Sequence, residues 1–194
     1  MSDAKAESVV ALAGRRLDRP GTTPPRFPAT QVPAVREKIA DLLLRERAVA
    51  LVASAACGAD IIGLEQAERL GLRRRIVLPF PPAQFRDRSV ADCPGDWVSA
   101  FDRLVTAAAT VGDLVVLEEP LVHSRPFAAA NAAIVRESKH LASALSSGAC
   151  HRLVAIIVWE GQGRQGGDAT EGFRALAAEM DFDVRTVLTL ERRS

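Results

Sequence analysis

The chain has 194 residues, 48% of them apolar, with 25 basic against 24 acidic side chains and a net charge of +1. That apolar share excludes a disordered chain. The balanced charge excludes a protein that holds nucleic acid by bulk phosphate attraction, though not a local basic cluster.

Six short apolar runs rich in β-branched residues predict strands: Val9–Ala13, Ala48–Ala53, Arg75–Leu78, Leu114–Leu117, Leu153–Val158 and Val184–Leu190. Most run on without alternation, the pattern of strands buried on both faces of a parallel sheet. Five stripes at helical spacing lie between them. The first is Val32, Val35, Ile39, Leu42 and Leu43; the second Ile61, Leu64 and Ala67; the third Trp97, Phe101, Leu104, Val105 and Ala108. The fourth, Phe127, Ala130, Ile134, Leu141 and Leu145, is irregular at its centre, and the fifth is Phe173, Leu176, Ala177 and Met180. The expected fold is α/β: a Rossmann-like three-layer sandwich with a mostly parallel sheet of about six strands and helices on both faces. One domain over residues 1–194 is expected, with 1–7 disordered. The long stretches Arg15–Thr30 and Pro79–Asp96, both rich in Pro and Arg, read as irregular.

Cys57, Cys93 and Cys150 match no zinc spacing, and an odd number suggests no disulfide framework, so a reducing compartment is expected. No metal site and no cofactor are implied. Met1–Glu7 has no signal-peptide core, and no apolar run reaches the roughly 18 to 20 residues of a membrane span. A cytoplasmic protein without a membrane partner is the expectation.

In an open α/β sheet, ligands bind beyond the carboxyl ends of the strands, which selects five loops. Gly14-Arg15-Arg16 offers close backbone approach and two cations for a phosphate or carboxylate, or is a turn with two solvated charges. Ser54 to Asp60, with Gly58 and Ala59, joins strand to helix through small residues, as an anion-binding helix start does. Asp60 either caps or begins that helix, or accepts a hydrogen bond from a ligand hydroxyl or base. Cys57 reads as a small loop residue rather than a nucleophile. Pro79–Ser89 carries Arg86 and Arg88, which either close over a ligand or are exposed. Glu118, after the fourth strand, faces either the crevice or water. Asn131 and Arg136 on the helix that follows are five apart and need not face the same site. In the last loop, the amides of Gly166, Gly167 and Asp168 with the Thr170 hydroxyl either cradle a phosphate or form a flexible turn capped by Asp168 or Thr170. Neither small-residue turn is a P-loop or a G-x-G-x-x-G fingerprint.

Gly14-Arg15-Arg16-Leu17-Asp18 with Pro20, then Arg26-Phe27-Pro28, Cys57-Gly58-Ala59-Asp60, Val77-Leu78-Pro79-Phe80 and Gly166-Gly167-Asp168-Ala169-Thr170 occur in this order. Together they resemble the SLOG superfamily of Rossmann-like domains. That group includes the cytokinin-activating phosphoribohydrolases, often misnamed lysine decarboxylases, and the DNA-processing Smf/DprA proteins. Bacterial SLOG domains attached to signalling modules, such as TPR repeats or cyclases, show the strongest likeness. The resemblance implies a nucleotide or nucleotide-derived ligand held between the Ser54–Asp60 and Gly166–Thr170 turns. The phosphoribohydrolases also need a Glu in a Pro-Gly-Gly-x-Gly-Thr-x-x-Glu turn and an upstream Arg. Here Gln165 replaces the Pro, Ala169 the third Gly, and Phe173 the Glu. Glu171 lies two residues early, and Arg136 is the candidate for the upstream Arg.

Three functions follow in order of expectation. The first is a nucleotide sensor in signalling, binding without turnover. The second is a nucleotide phosphoribohydrolase, whose oxocarbenium-like transition state needs a carboxylate such as Glu171, Glu118 or Asp60. The third is a module for single-stranded nucleic acid. Local arginines at Arg73, Arg74 and Arg75 permit it, but only 5% aromatic residues disfavour it, so nucleic acid is not the expected partner. A homodimer is expected by analogy with similar sheets.

Overall fold

The six apolar runs pair into one sheet: β1 (Ser8–Gly14), β2 (Ala48–Ala53), β3 (Arg73–Leu78), β4 (Leu114–Val116), β5 (Arg152–Trp159) and β6 (Asp183–Leu188). The computed structural model describes residues 6–117, 126–145, 151–164 and 167–190. Strand order is β4-β3-β2-β1-β5-β6, with every neighbouring pair parallel. Parallel strands need crossovers, supplied by α1 (Val32–Arg45), α2 (Ala59–Arg69), α3 (Pro82–Ser89), α4 (Val98–Thr110), α5 (Pro126–Leu145) and α6 (Ala169–Glu179).

Two apolar clusters fill the two faces. Val10, Leu12, Leu51, Ala53, Ile76, Leu78, Val154 and Ile156 point to one side, where α1 to α4 cover them. Val9, Ala11, Ala13, Ala50, Val52, Val77, Ala155 and Ile157 point to the other, under α5 and α6. Successive strand residues thus enter opposite cores, which is why the runs show no polar alternation. Alanines at 11, 13 and 50 share this cluster with Ala133 of α5, so small side chains lie on both the sheet and the helix there.

The order grows from β1 outward to β4, then restarts on the other flank of β1 with β5. The loops leaving β1 and β5 therefore diverge to opposite faces and open a crevice between their carboxyl ends.

Three expectations change, and the irregularity of one stripe finds its cause. Pro79–Asp96 is not irregular throughout. It contains α3, started by Pro82 in the first turn, where a missing N–H costs nothing. Phe85 anchors α3 by stacking on Phe101, with ring centroids 6.0 Å apart. The irregular centre of the α5 stripe is Ser138, fully buried, whose hydroxyl donates to the Ile134 carbonyl. Met180 leaves the fifth stripe and is 37% exposed, while Phe182 takes the buried place. Glu7, within the segment expected to be disordered, has a defined place: its carbonyl accepts from the Arg152 amide at 2.9 Å. Met1 to Lys5 lie outside the described residues.

Arg73, Arg74 and Arg75 do not form an open basic patch. Arg73 and Arg75 both donate to Asp113, Arg75 also to Glu137 at 3.1 Å, and Arg74 to Glu68 at 2.6 Å. Among the described residues, no helix is long and apolar enough to cross a membrane.

Candidate functional site

A cleft of about 610 Å³ opens at the diverging loops of β1 and β5. The segment after β1 supplies Gly14 to Arg19, Thr22 and Arg26; the β2 loop supplies Ser54, Ala56 and Asp60. Phe85, Ser89 and Cys93 form one wall, and Phe127, Ala130, Asn131 and Ile134 of α5 another. Arg164 and Gly167 to Thr170 close the end beyond β5.

Glycine and alanine bring the first two loops together. A Cβ on Gly14 would lie 2.5 Å from the Val158 carbonyl oxygen and 2.6 Å from the Ala59 Cβ. Gly58 has φ +93°, and a Cβ there would meet the Arg15 carbonyl at 2.8 Å. The Ala59 amide donates to that same carbonyl at 3.1 Å. Gly58 and Ala59 therefore pack the turn against the β1 loop rather than line the cleft.

Arg15 is 5% exposed and binds protein, not solvent. Its guanidinium donates to Glu160 at 2.6 and 3.0 Å, to Asp168 at 2.6 and 2.7 Å, and to the Gln162 carbonyl at 2.9 Å. Burial opposes its charge, but the bonds to Asp168 and Glu160 outweigh that and hold the guanidinium more basic than usual. Asp168 in turn caps α6, accepting from the amides of Thr170, Glu171 and Arg164. Burial pushes its carboxyl up, yet Arg15 and the amides of Glu171 and Thr170 hold it below the usual range. The expected phosphate cradle at this helix start is thus filled by the protein's own carboxylate, and Gly167 remains on the cleft wall. Gly166 and Glu118 lie outside the described residues.

Asp60 is the second residue of α2, 7% exposed, with Oδ2 accepting from the Ala56 amide at 3.2 Å. The N-cap is Gly58, so Asp60 begins the helix without capping it. Burial pushes its carboxyl up to about 7, against the Ala56 amide, the Arg16 charge and the Gly14 amide. Arg16 faces it across the cleft and pairs with Asp92, as does Arg19 at 2.6 Å. Asp18 spends its charge on the amides of Arg26 and Phe27 at 2.7 and 2.8 Å, holding Arg26 at the rim. The Ser89 hydroxyl is buried and has no hydrogen-bond partner among the described residues. A buried, unpaired donor is costly unless something else completes it.

The α5 wall is apolar. Phe127 was placed on a core stripe by its spacing, but it is 46% exposed, meets Phe80 edge-to-face at 6.2 Å and lines the cleft. Asn131 donates to the Ala169 carbonyl at 2.7 Å, tying α5 to α6. Arg136 lies away from the cleft, 55% exposed and 3.7 Å from Glu137. Glu171 does not line it either; its carboxylate is held by Arg174 at 2.7 and 2.9 Å. The two candidate catalytic side chains are therefore not brought together.

Cys57 and Cys93 are paired as a disulfide, which corrects the expectation drawn from an odd cysteine count. The spacing of 36 carries no local signal; α3 brings the two together, and the Cys57 amide donates to the Ser89 carbonyl. Sequence reasoning also missed Glu160, Ser89 and Arg26 as parts of the site. Glu160 had one available signal, an acidic residue directly after a buried strand. Among the described residues, no group of three or more His, Cys, Asp or Glu could hold a metal ion.

No protein-family model and no curated protein matches this chain. Among solved structures, it is similar to DNA processing protein A (DprA) from Streptococcus pneumoniae, with 16% identity and a TM-score of 0.42. The match covers 92% of this chain and 58% of that one, so this chain spans little more than half of its length.

Proposed function

We propose that the cleft binds a nucleotide-type small molecule and that the chain acts as a ligand-sensing domain, as the SLOG resemblance implies. One observation carries this reading. The switch-point cleft joins an apolar wall (Phe127, Ala130, Ile134) to an arginine rim (Arg16, Arg19, Arg26), with the Ser89 hydroxyl, unpartnered among the described residues, inside it. Its volume of about 610 Å³ suits a ligand of nucleotide size. A flat base and ribose fit the apolar wall, and a phosphate fits the rim, where it competes with Asp92 for Arg16 and Arg19. The α6 amides are taken by Asp168, so phosphate recognition falls to side chains.

Binding is favoured over N-glycosidic cleavage. Glu171 faces Arg174, and burial raises the Asp60 carboxyl to about 7, which makes it a weaker anion for an oxocarbenium than an ordinary carboxylate. A thermal-shift series with AMP, adenosine and inorganic phosphate tests the proposal. AMP is expected to raise Tm more than either fragment, and Arg16→Met, Phe127→Ala and Ser89→Ala each to shrink that rise. No shift with AMP or other nucleotides at millimolar concentration would sink the reading. Adenine released from AMP, seen by chromatography, would replace it with the cleavage reading.

A further inference from the structure

We infer that Cys57 and Cys93 form a reversible thiol–disulfide site, with Cys93 the reacting cysteine, Cys57 the resolving one and Arg16 the activating cation. The two sulfurs are built unequally. Cys57 is fully buried behind the β2 turn, whereas Cys93 lines the cleft and is half-buried. The Arg16 guanidinium donates to the Cys93 sulfur at 3.4 Å. A closed disulfide gains little from a cation, but a thiolate gains much, because opposite charge favours its ionised form. The charges around Cys93 are Arg16 and Arg19 from the β1 loop, Asp92 from its own segment, and Asp60 on α2, which acts on Arg16.

The chemistry balances with a low-molecular-weight disulfide as oxidant. The Cys93 thiolate attacks RS–SR, forms a mixed disulfide and releases one RS⁻. The Cys57 thiol then loses its proton and attacks the Cys93 sulfur, releasing the second RS⁻ and closing the protein disulfide. Two electrons pass from the protein dithiol to the reagent, which leaves as two thiols, and a dithiol such as dithiothreitol reverses both steps. Closure ties the segment after α3 to the β2 turn. It thereby holds Asp92 against Arg16 and Arg19, and so sets one cleft wall. This inference does not depend on which ligand the cleft takes.

Wild-type protein incubated with excess oxidised glutathione, then denatured and treated with N-ethylmaleimide, is expected to gain one adduct by intact mass. The protein first reduced with dithiothreitol should gain three, one for each cysteine of the chain. Three adducts after oxidation, or glutathione retained on Cys93 without closure, would overturn the inference. The second arm follows iodoacetamide alkylation of Cys93 in the reduced native protein by peptide mass as pH is varied. The midpoint should lie below about 7.5 and rise by roughly one unit in Arg16→Met. A midpoint unmoved by that substitution would remove Arg16 from the site. The first arm needs no variant, so a folding defect in Arg16→Met would not blur it.

Discussion

At the scale of single residues, the cleft is decided by how each charge is compensated. Arg15 looked like a ligand-binding cation from its place after β1. In the fold it satisfies two carboxylates, Glu160 and Asp168, both shielded from water. Arg16, one residue later, pairs instead with Asp92 at the cleft. Neighbours in a loop of identical chemistry thus take unrelated roles, and only the partners tell them apart. Asp60 is the residue whose environment has a measurable consequence. Its folded-state pKa is raised from 3.8 to about 7 by burial. Between these values the unfolded chain gives up the proton while the folded one keeps it, so the folded state binds more protons. Stability attached to Asp60 is therefore full below about pH 4 and is lost as pH rises to about 7. Asp60→Asn keeps the shape without the charge. Chemical denaturation should show it more stable than wild type at pH 8, on the order of a few kcal/mol at about 1.4 kcal/mol per unit. At pH 4 the two should be nearly equal. A wild-type advantage at pH 8 would refute the burial argument.

At the scale of elements, periodicity carried far. The strand runs match β1 to β6 to within two residues, and each of the five stripes marks a helix, because burial on a defined face imposes its period on the sequence. Where periodicity failed, another contact had won. The α3 segment is short and polar, with only Phe85 and Ser89 buried, so it left no stripe to find. Phe127 kept the helical spacing of its stripe but sits in the first turn of α5, on the cleft. Close element packing also makes a prediction. Gly14 ends β1 where Val158 of β5 and Ala59 of α2 converge, and an added Cβ meets backbone oxygen at 2.5 Å. Gly14→Ala should cost roughly 1–3 kcal/mol or more in denaturant unfolding, since neither neighbour is the free end of a flexible side chain. A cost below ~0.5 kcal/mol would show that β1 and the α2 turn can part easily.

At the scale of the whole molecule, basic and acidic side chains nearly balance, and the one run of three arginines is consumed by Glu68, Asp113 and Glu137. Long-range attraction for a polyanion is therefore weak. Fluorescence anisotropy with a labelled single-stranded oligonucleotide at about 0.15 M salt should show no micromolar binding. Tight binding that falls steeply with salt would point instead to an electrostatic nucleic-acid surface.

The sequence by itself determined the layers: apolar runs that fill both faces of a sheet, helical stripes between them, and hence loops gathered at the carboxyl ends of the strands. It also marked the stretches from which the cleft is built, because small residues after a buried strand signal close approach. Tertiary structure alone decided which of those residues reach the cleft. It tied Arg15 to Glu160 and Asp168 and left Arg16 at the cleft rim, gave the α6 amides to Asp168, carried Glu171 and Arg136 away, and brought Cys93 to Cys57. The physical reason is range. Burial and period act between residues a few positions apart, and sequence records them. Ion pairs such as Arg15 with Asp168, and the cysteine pair, join positions far apart in the chain, where no periodicity connects the partners.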